Sequence, residues 1–96
     1  MEIEDIKSII KSNSQNISTR FKAEVIGIFG SYARGEEKKD SDIDILVKFE
    51  KGATLFDLVE LSEYLENILG IPVDVVSQRA LHPMIKDEVL KEMVAL

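Results

Sequence analysis

Gly30-Ser31 and, ten residues further on, Asp42-Ile43-Asp44 are the residues of this 96-residue chain whose types and spacing could do chemistry. Glycine admits backbone angles closed to other residues and lets the chain approach a ligand closely. Ser31 at the head of a helical turn can hydrogen-bond a phosphate oxygen, helped by free backbone N–H groups and the local dipole. No Gly-Lys-Ser/Thr is present, so this is not a P-loop. In extended chain Asp42 and Asp44 point the same way, roughly 6.6 Å apart along the strand. Such a pair is a base for two divalent cations about 3.5–4 Å apart, the arrangement that drives in-line displacement at phosphorus.

Position strengthens the carboxylates. Asp44 lies inside an apolar run with Ile43, Ile45, Leu46 and Val47, and Asp74 is lodged in Pro72-Val73-Asp74-Val75-Val76. A carboxylate there is costly unless paired, hydrogen-bonded or on a metal. Two strands each carrying an acid against their own β-branched pattern imply one convergent acidic site. Oxygen-only ligands suit magnesium or manganese and not zinc. The plainer alternative, structural acids bonded to loop amides, carries less weight for either case. Arg34, one turn from Ser31, could reach phosphate or pair with Glu36 or Glu37, and the two roles stand level. Glu36 to Lys39 reads as a solvated loop. His82, the only histidine, suits a surface or capping role beside Pro83. Tyr32 and Tyr64 are packing residues first and modification targets second.

The elements that must position these residues follow from periodicity. Ile3, Ile6, Ile10 and Ile17 form a helical stripe over residues 3–21, weakened in the middle by Ser12 to Asn16. Glu24 to Phe29 reads as a buried strand ending at Gly30, and Ser31 to Arg34 as one helical turn. A polar loop, Gly35 to Ser41, leads to a second strand from Asp42 to Phe49, whose face Ile43, Ile45, Val47 must pack on something. Thr54, with Asp57 three residues on, opens a helix that places Leu58, Leu61, Leu65 and Ile68 on one side. Gly70 caps it and Pro72 prevents continuation. Val73 to Val76 is a third strand. Pro83 starts a last helix through Ile85, Val89 and Met93, whose apolar stripe reads as core. The alternation predicts an α/β (α+β) fold, a small mixed three-stranded sheet flanked by helices, with residues 1–96 as a single domain.

Bulk properties narrow the function. Net charge is −6. Affinity for long nucleic acid comes largely from cations that neutralise phosphates, so this chain is a poor polynucleotide binder despite the local patch Arg34, Lys38, Lys39. A nucleotide brought in with magnesium is compatible, because the metal offsets the charge. There is no cysteine, which excludes disulfides and thiolate metal sites and suits a reducing cytoplasm. No secretory leader pattern or membrane-spanning run is present.

The string Gly30-Ser31-Tyr32-Ala33-Arg34-Gly35, followed by Ser41-Asp42-Ile43-Asp44-Ile45-Leu46-Val47, closely resembles the signature of the polymerase-β-like nucleotidyltransferases. More narrowly it is similar to the minimal nucleotidyltransferases, the MNT group of prokaryotes. The resemblance spans nearly the whole chain. It implies that Asp42 and Asp44 hold two magnesium ions (manganese as the substitute) against the nucleoside triphosphate, that Asp74 completes the site and helps activate the attacking hydroxyl, and that Ser31 and the amides after Gly30 hold the outer phosphates, with Arg34 the further phosphate candidate named above. It implies transfer of AMP, with release of pyrophosphate, to a hydroxyl on a partner protein, and a small helical HEPN-type protein, often an RNase toxin, as that partner. The chain would then be the antitoxin. The rival expectation is a non-catalytic nucleotide-binding module that neutralises the partner by direct binding. The acceptor, the nucleotide preference and any homo-oligomer stay open.

Overall fold

The isoleucine stripe near the N-terminus forms two helices rather than one in the computed structural model, which describes residues 1–96. Helix α1 (Ile3–Ser12) and helix α2 (Ser14–Phe21) meet at Asn13. The Asn13 side chain donates to Ile9 O at 2.8 Å and accepts from the Tyr64 hydroxyl at 2.7 Å. A side-chain amide that satisfies backbone and a distant tyrosine competes with the helix ladder, which gives the weak middle its physical cause. Ile6, Ile10, Ile17 and Phe21 are nonetheless all buried, so the stripe continues across the break.

Strand β1 (Ala23–Phe29) runs into a single helical turn, α3 (Ser31–Arg34). Strand β2 (Ile43–Phe49) starts one residue later than expected and leaves Asp42 in the preceding loop. Helix α4 (Leu55–Leu69) opens with Thr54 N–H donating to Asp57 Oδ2 at 2.8 Å and closes at Gly70. Strand β3 (Val73–Ser77) leads through a 3-10 turn at Gln78–Ala80 to helix α5 (Pro83–Glu92). His82 caps α5, its Nδ1 accepting from Met84 N–H at 3.1 Å, which is the capping role expected of it.

The sheet is mixed, as expected, but it has four strands rather than three, in the order β3-β2-β1-β4. The additional strand, β4 (Val94–Ala95), pairs antiparallel with Gly27 and Ile28 of β1. It is two residues long and carries no periodicity that a sequence could display. Ladder β1–β2 is antiparallel and β2–β3 is parallel.

Alternation along β2 divides the molecule. Ile43, Ile45 and Val47 join Ile28 and Val75 on one face, packed on α1, α2 and α4 through Ile6, Ile10, Ile17, Phe21, Leu61, Leu65 and Leu69. This is the packing that the apolar face required. Asp44 and Leu46 lie on the opposite face. Helix α5 corrects the expectation of a buried last stripe: it buries no residue fully, and Ile85 is 48% exposed.

Candidate active site

The parallel register sets Asp44 directly beside Asp74, and the antiparallel register sets Phe29 on its other side. Registered residues on neighbouring strands share a face, so both carboxylates project from the side opposite the helical core. Asp44 is half-buried and Asp74 is exposed at the edge strand. Burial, then the charge of Asp74, then that of Asp42 push the Asp44 carboxyl above the usual carboxylate range, and Arg34 pulls weakly the other way. None of the three acids is in an ion pair.

Gly30 follows β1 directly and lies against Asp44. Its φ of +74° lies in the left-handed region, and a Cβ built there would overlap Asp44 Oδ2 and sit 3.0 Å from Asp44 Cγ. Glycine is therefore required twice, for the backbone angle and for room beside the carboxylate. The turn that follows is tied by Arg34 N–H to Gly30 O at 3.2 Å and Glu36 N–H to Ser31 O at 2.9 Å. The amides of Ser31, Tyr32 and Ala33 precede the first of these helical bonds, so they are the donors a helix start leaves free.

Arg34 closes the near side. Its Nε donates to Glu36 Oε2 at 3.0 Å and its Nη1 to Glu92 Oε2 at 3.3 Å. The two carboxylates raise its pKa further above an already high value, Glu36 most and Glu92 next. Glu36 was visible as a candidate partner in the sequence. Glu92 was not, because it lies 58 residues away and reaches Arg34 only through the fold.

The fold thus brings Asp44, Asp74, Gly30, Ser31 and Arg34 to one end of the sheet. Asp42 is exposed at the entry to β2, near enough to act on Asp44 through charge. The acids do not close into a preformed metal cage. The donor set still fits a hard divalent cation: oxygen ligands only, mutual repulsion, and no lysine or arginine bound to offset it. Asp44 and Asp74 would help to hold such a cation, whose charge would offset the repulsion that adds to burial in raising the Asp44 pKa.

The chain that carries this strand-borne acid pair beside a glycine-serine turn belongs to the nucleotidyltransferase domain family, whose model matches residues 3–96. Among individual proteins it is similar to protein adenylyltransferase MntA of Thermococcus cleftensis, 46% identical over 94 residues, covering 98% of this chain and 95% of the relative. A solved minimal nucleotidyltransferase superposes with a TM-score of 0.84 at 41% identity, covering 100% of this chain and 97% of the other. A crystal structure of a toxin–antitoxin with AMP-PNP superposes with a TM-score of 0.70 at 25% identity, covering 99% of this chain and 72% of that one. No helix is long and apolar enough to cross a membrane.

Proposed function

We propose that this chain is a metal-dependent protein adenylyltransferase that moves AMP from ATP to a tyrosine or other hydroxyl of a partner protein. Residues 1–96 act as one domain, in the cytoplasm, as the antitoxin of a pair whose toxin is a small helical HEPN-type protein. The adenylyltransferase relative at 46% identity and the toxin–antitoxin neighbour carrying AMP-PNP support the substrate and the partner class. The observation that carries the chemistry is the Asp44–Asp74 pair, registered on neighbouring parallel strands and without a cationic partner.

Asp42, Asp44 and Asp74 would hold two divalent ions, magnesium or manganese. When bound, such ions neutralise triphosphate charge and make a nearby hydroxyl more acidic. Ser31 and the free amides behind Gly30 bind the outer phosphates, and Arg34 adds positive charge beside them. Asp74, exposed at the sheet edge, would take the proton from the acceptor hydroxyl. The hydroxyl oxygen attacks the α-phosphorus, the bond to the α,β-bridging oxygen breaks, and pyrophosphate leaves with its electron pair. Positioning and charge neutralisation supply the catalysis.

The test is transfer from α-labelled ATP in the presence of magnesium and a lysate of the source cell. Wild type should label a protein band, and Asp44→Asn should lose the band while keeping a folded circular dichroism spectrum. Normal labelling by Asp44→Asn would sink the metal assignment. If Asp42→Asn/Asp44→Asn neutralises the partner as well as wild type does, the chain acts by occlusion and not by transfer.

A further inference from the structure

The C-terminal segment reaches back to the candidate site at one point, the ion pair between Glu92 and Arg34, and its geometry gives Glu92 a role. Glu92 is the last residue of α5, next to Met93 and β4. That stretch is fixed in place by β1. A Cβ at Gly27 would lie 2.5 Å from Met93 Cγ and 2.7 Å from Val94 O, so only glycine lets Met93 and β4 settle there. Val94 and Ala95 then pair with Ile28 and Gly27, just before the Gly30 turn, and Leu96 N–H donates to Ile26 O at 3.2 Å. The consequence is that a carboxylate from the far end of the chain is delivered to α3.

Two carboxylates from separate elements thus grip one guanidinium. Glu36, in the loop after α3, accepts from Nε at 3.0 Å, and Glu92 accepts from Nη1 at 3.3 Å. A guanidinium carries five N–H donors in a planar fork. These bonds use one donor on Nε and one on Nη1, which leaves the second Nη1 donor and both Nη2 donors available. A plane fixed at two corners has its remaining edge oriented before any ligand arrives. Arg34 also lies close enough to Asp44 for its charge to be felt there. The guanidinium therefore belongs to the same end of the sheet as the acids, on α3 directly behind the Gly30 turn.

We propose that Glu92 is a positioning residue for nucleotide binding: with Glu36 it holds the Arg34 fork so that its free edge is presented to the phosphates of the incoming nucleoside triphosphate. The proposal rests on the nucleotide-site assignment given under the proposed function. It adds that the last turn of α5 is part of that site's support. Glu92 touches no substrate and acts through Arg34 alone.

The experiment is calorimetric titration of the full chain with magnesium and the α,β-methylene analogue of ATP, which binds without being turned over. Glu92→Ala should raise Kd about two- to fivefold, the range for a partly exposed charge pair. Glu92→Gln, which keeps an acceptor oxygen, should recover most of the affinity. In an Arg34→Ala background Glu92→Ala should have no further effect, because the two residues act as a unit. A thermal melt of each variant separates this from loss of packing. An unchanged Kd in Glu92→Ala, or an equal rise in the Arg34→Ala background, overturns the positioning role and leaves the nucleotide site standing. A wild-type chain that binds no nucleotide overturns both.

Discussion

At the scale of single residues the site is a balance between repulsion and its relief. Asp44 is held above the ordinary carboxylate range by burial and by Asp74 and Asp42. The folded chain therefore binds that proton more tightly than the unfolded chain does, and the fold loses stability once both states are ionised. Stability returns as pH falls through the raised folded value and is fully restored below the unfolded one. Because Asp44 is only half-buried, solvent screening keeps the effect small. In metal-free buffer at neutral pH, Asp44→Asn should melt a few degrees above wild type, and the gap should close on acidification; a gap independent of pH would point to packing instead. Magnesium should raise the melting temperature of wild type at neutral pH and leave that of Asp44→Asn almost unmoved. Gly30→Ala is the steric counterpart. It adds backbone strain of about 1–3 kcal/mol, since φ +74° with ψ −151° is open to little but glycine, and drives a methyl into the Asp44 carboxylate. Loss of magnesium-dependent stabilisation in that variant, measured by melts with and without the metal, is the expected result.

At the scale of elements, what the sequence disclosed depended on how local the cause was. Strands β1, β2 and β3 and helix α4 showed themselves because β-branched runs, the Thr54–Asp57 cap and Gly70 are neighbours in sequence. Asp44 and Asp74 showed themselves as acids inside apolar strands, before their register was known. Strand β4 did not, because two residues have no period and their pairing depends on the missing side chain of Gly27 across the sheet. The break at Asn13 was half visible as polarity, while its cause, the hydroxyl of Tyr64, lies 51 residues away. The α5 stripe misled for the opposite reason: Ile85 obeys helical spacing, but no layer of this chain covers it. An element held by one close approach is open to one methyl. Gly27→Ala should cost about 1–3 kcal/mol through overpacking against Met93. It should also speed amide exchange at Leu96, whose N–H is bonded to Ile26 O at 3.2 Å. Slow exchange at Leu96 in the variant would show that β4 is held by something other than the glycine gap.

For the molecule as a whole, charge and layering decide what can be an acceptor. Eighteen acids against twelve lysines and arginines leave the chain at −6. In the one local basic stretch, Arg34 with Lys38 and Lys39, two carboxylates offset the charge of the arginine. Binding to a polynucleotide gains from counterion release in proportion to the phosphates neutralised, and this surface has few free cations to neutralise them. The same acidity favours encounter with a basic protein and makes that encounter salt-sensitive. A labelled single-stranded RNA should therefore show no saturable binding up to about 100 µM protein at physiological salt, the weak end of ordinary non-specific association. The measurement is fluorescence anisotropy, repeated with magnesium and ATP present so that an ordered site is also sampled. Saturable binding that weakens steeply with salt would place Lys38 and Lys39 in a nucleic-acid surface. The terminal hydroxyl of an RNA would then compete with a protein side chain as the group that receives AMP. Without such binding, the acceptor hydroxyl must arrive on a surface that tolerates an acidic rim around Asp44 and Asp74, which a basic protein provides and a polyphosphate chain does not.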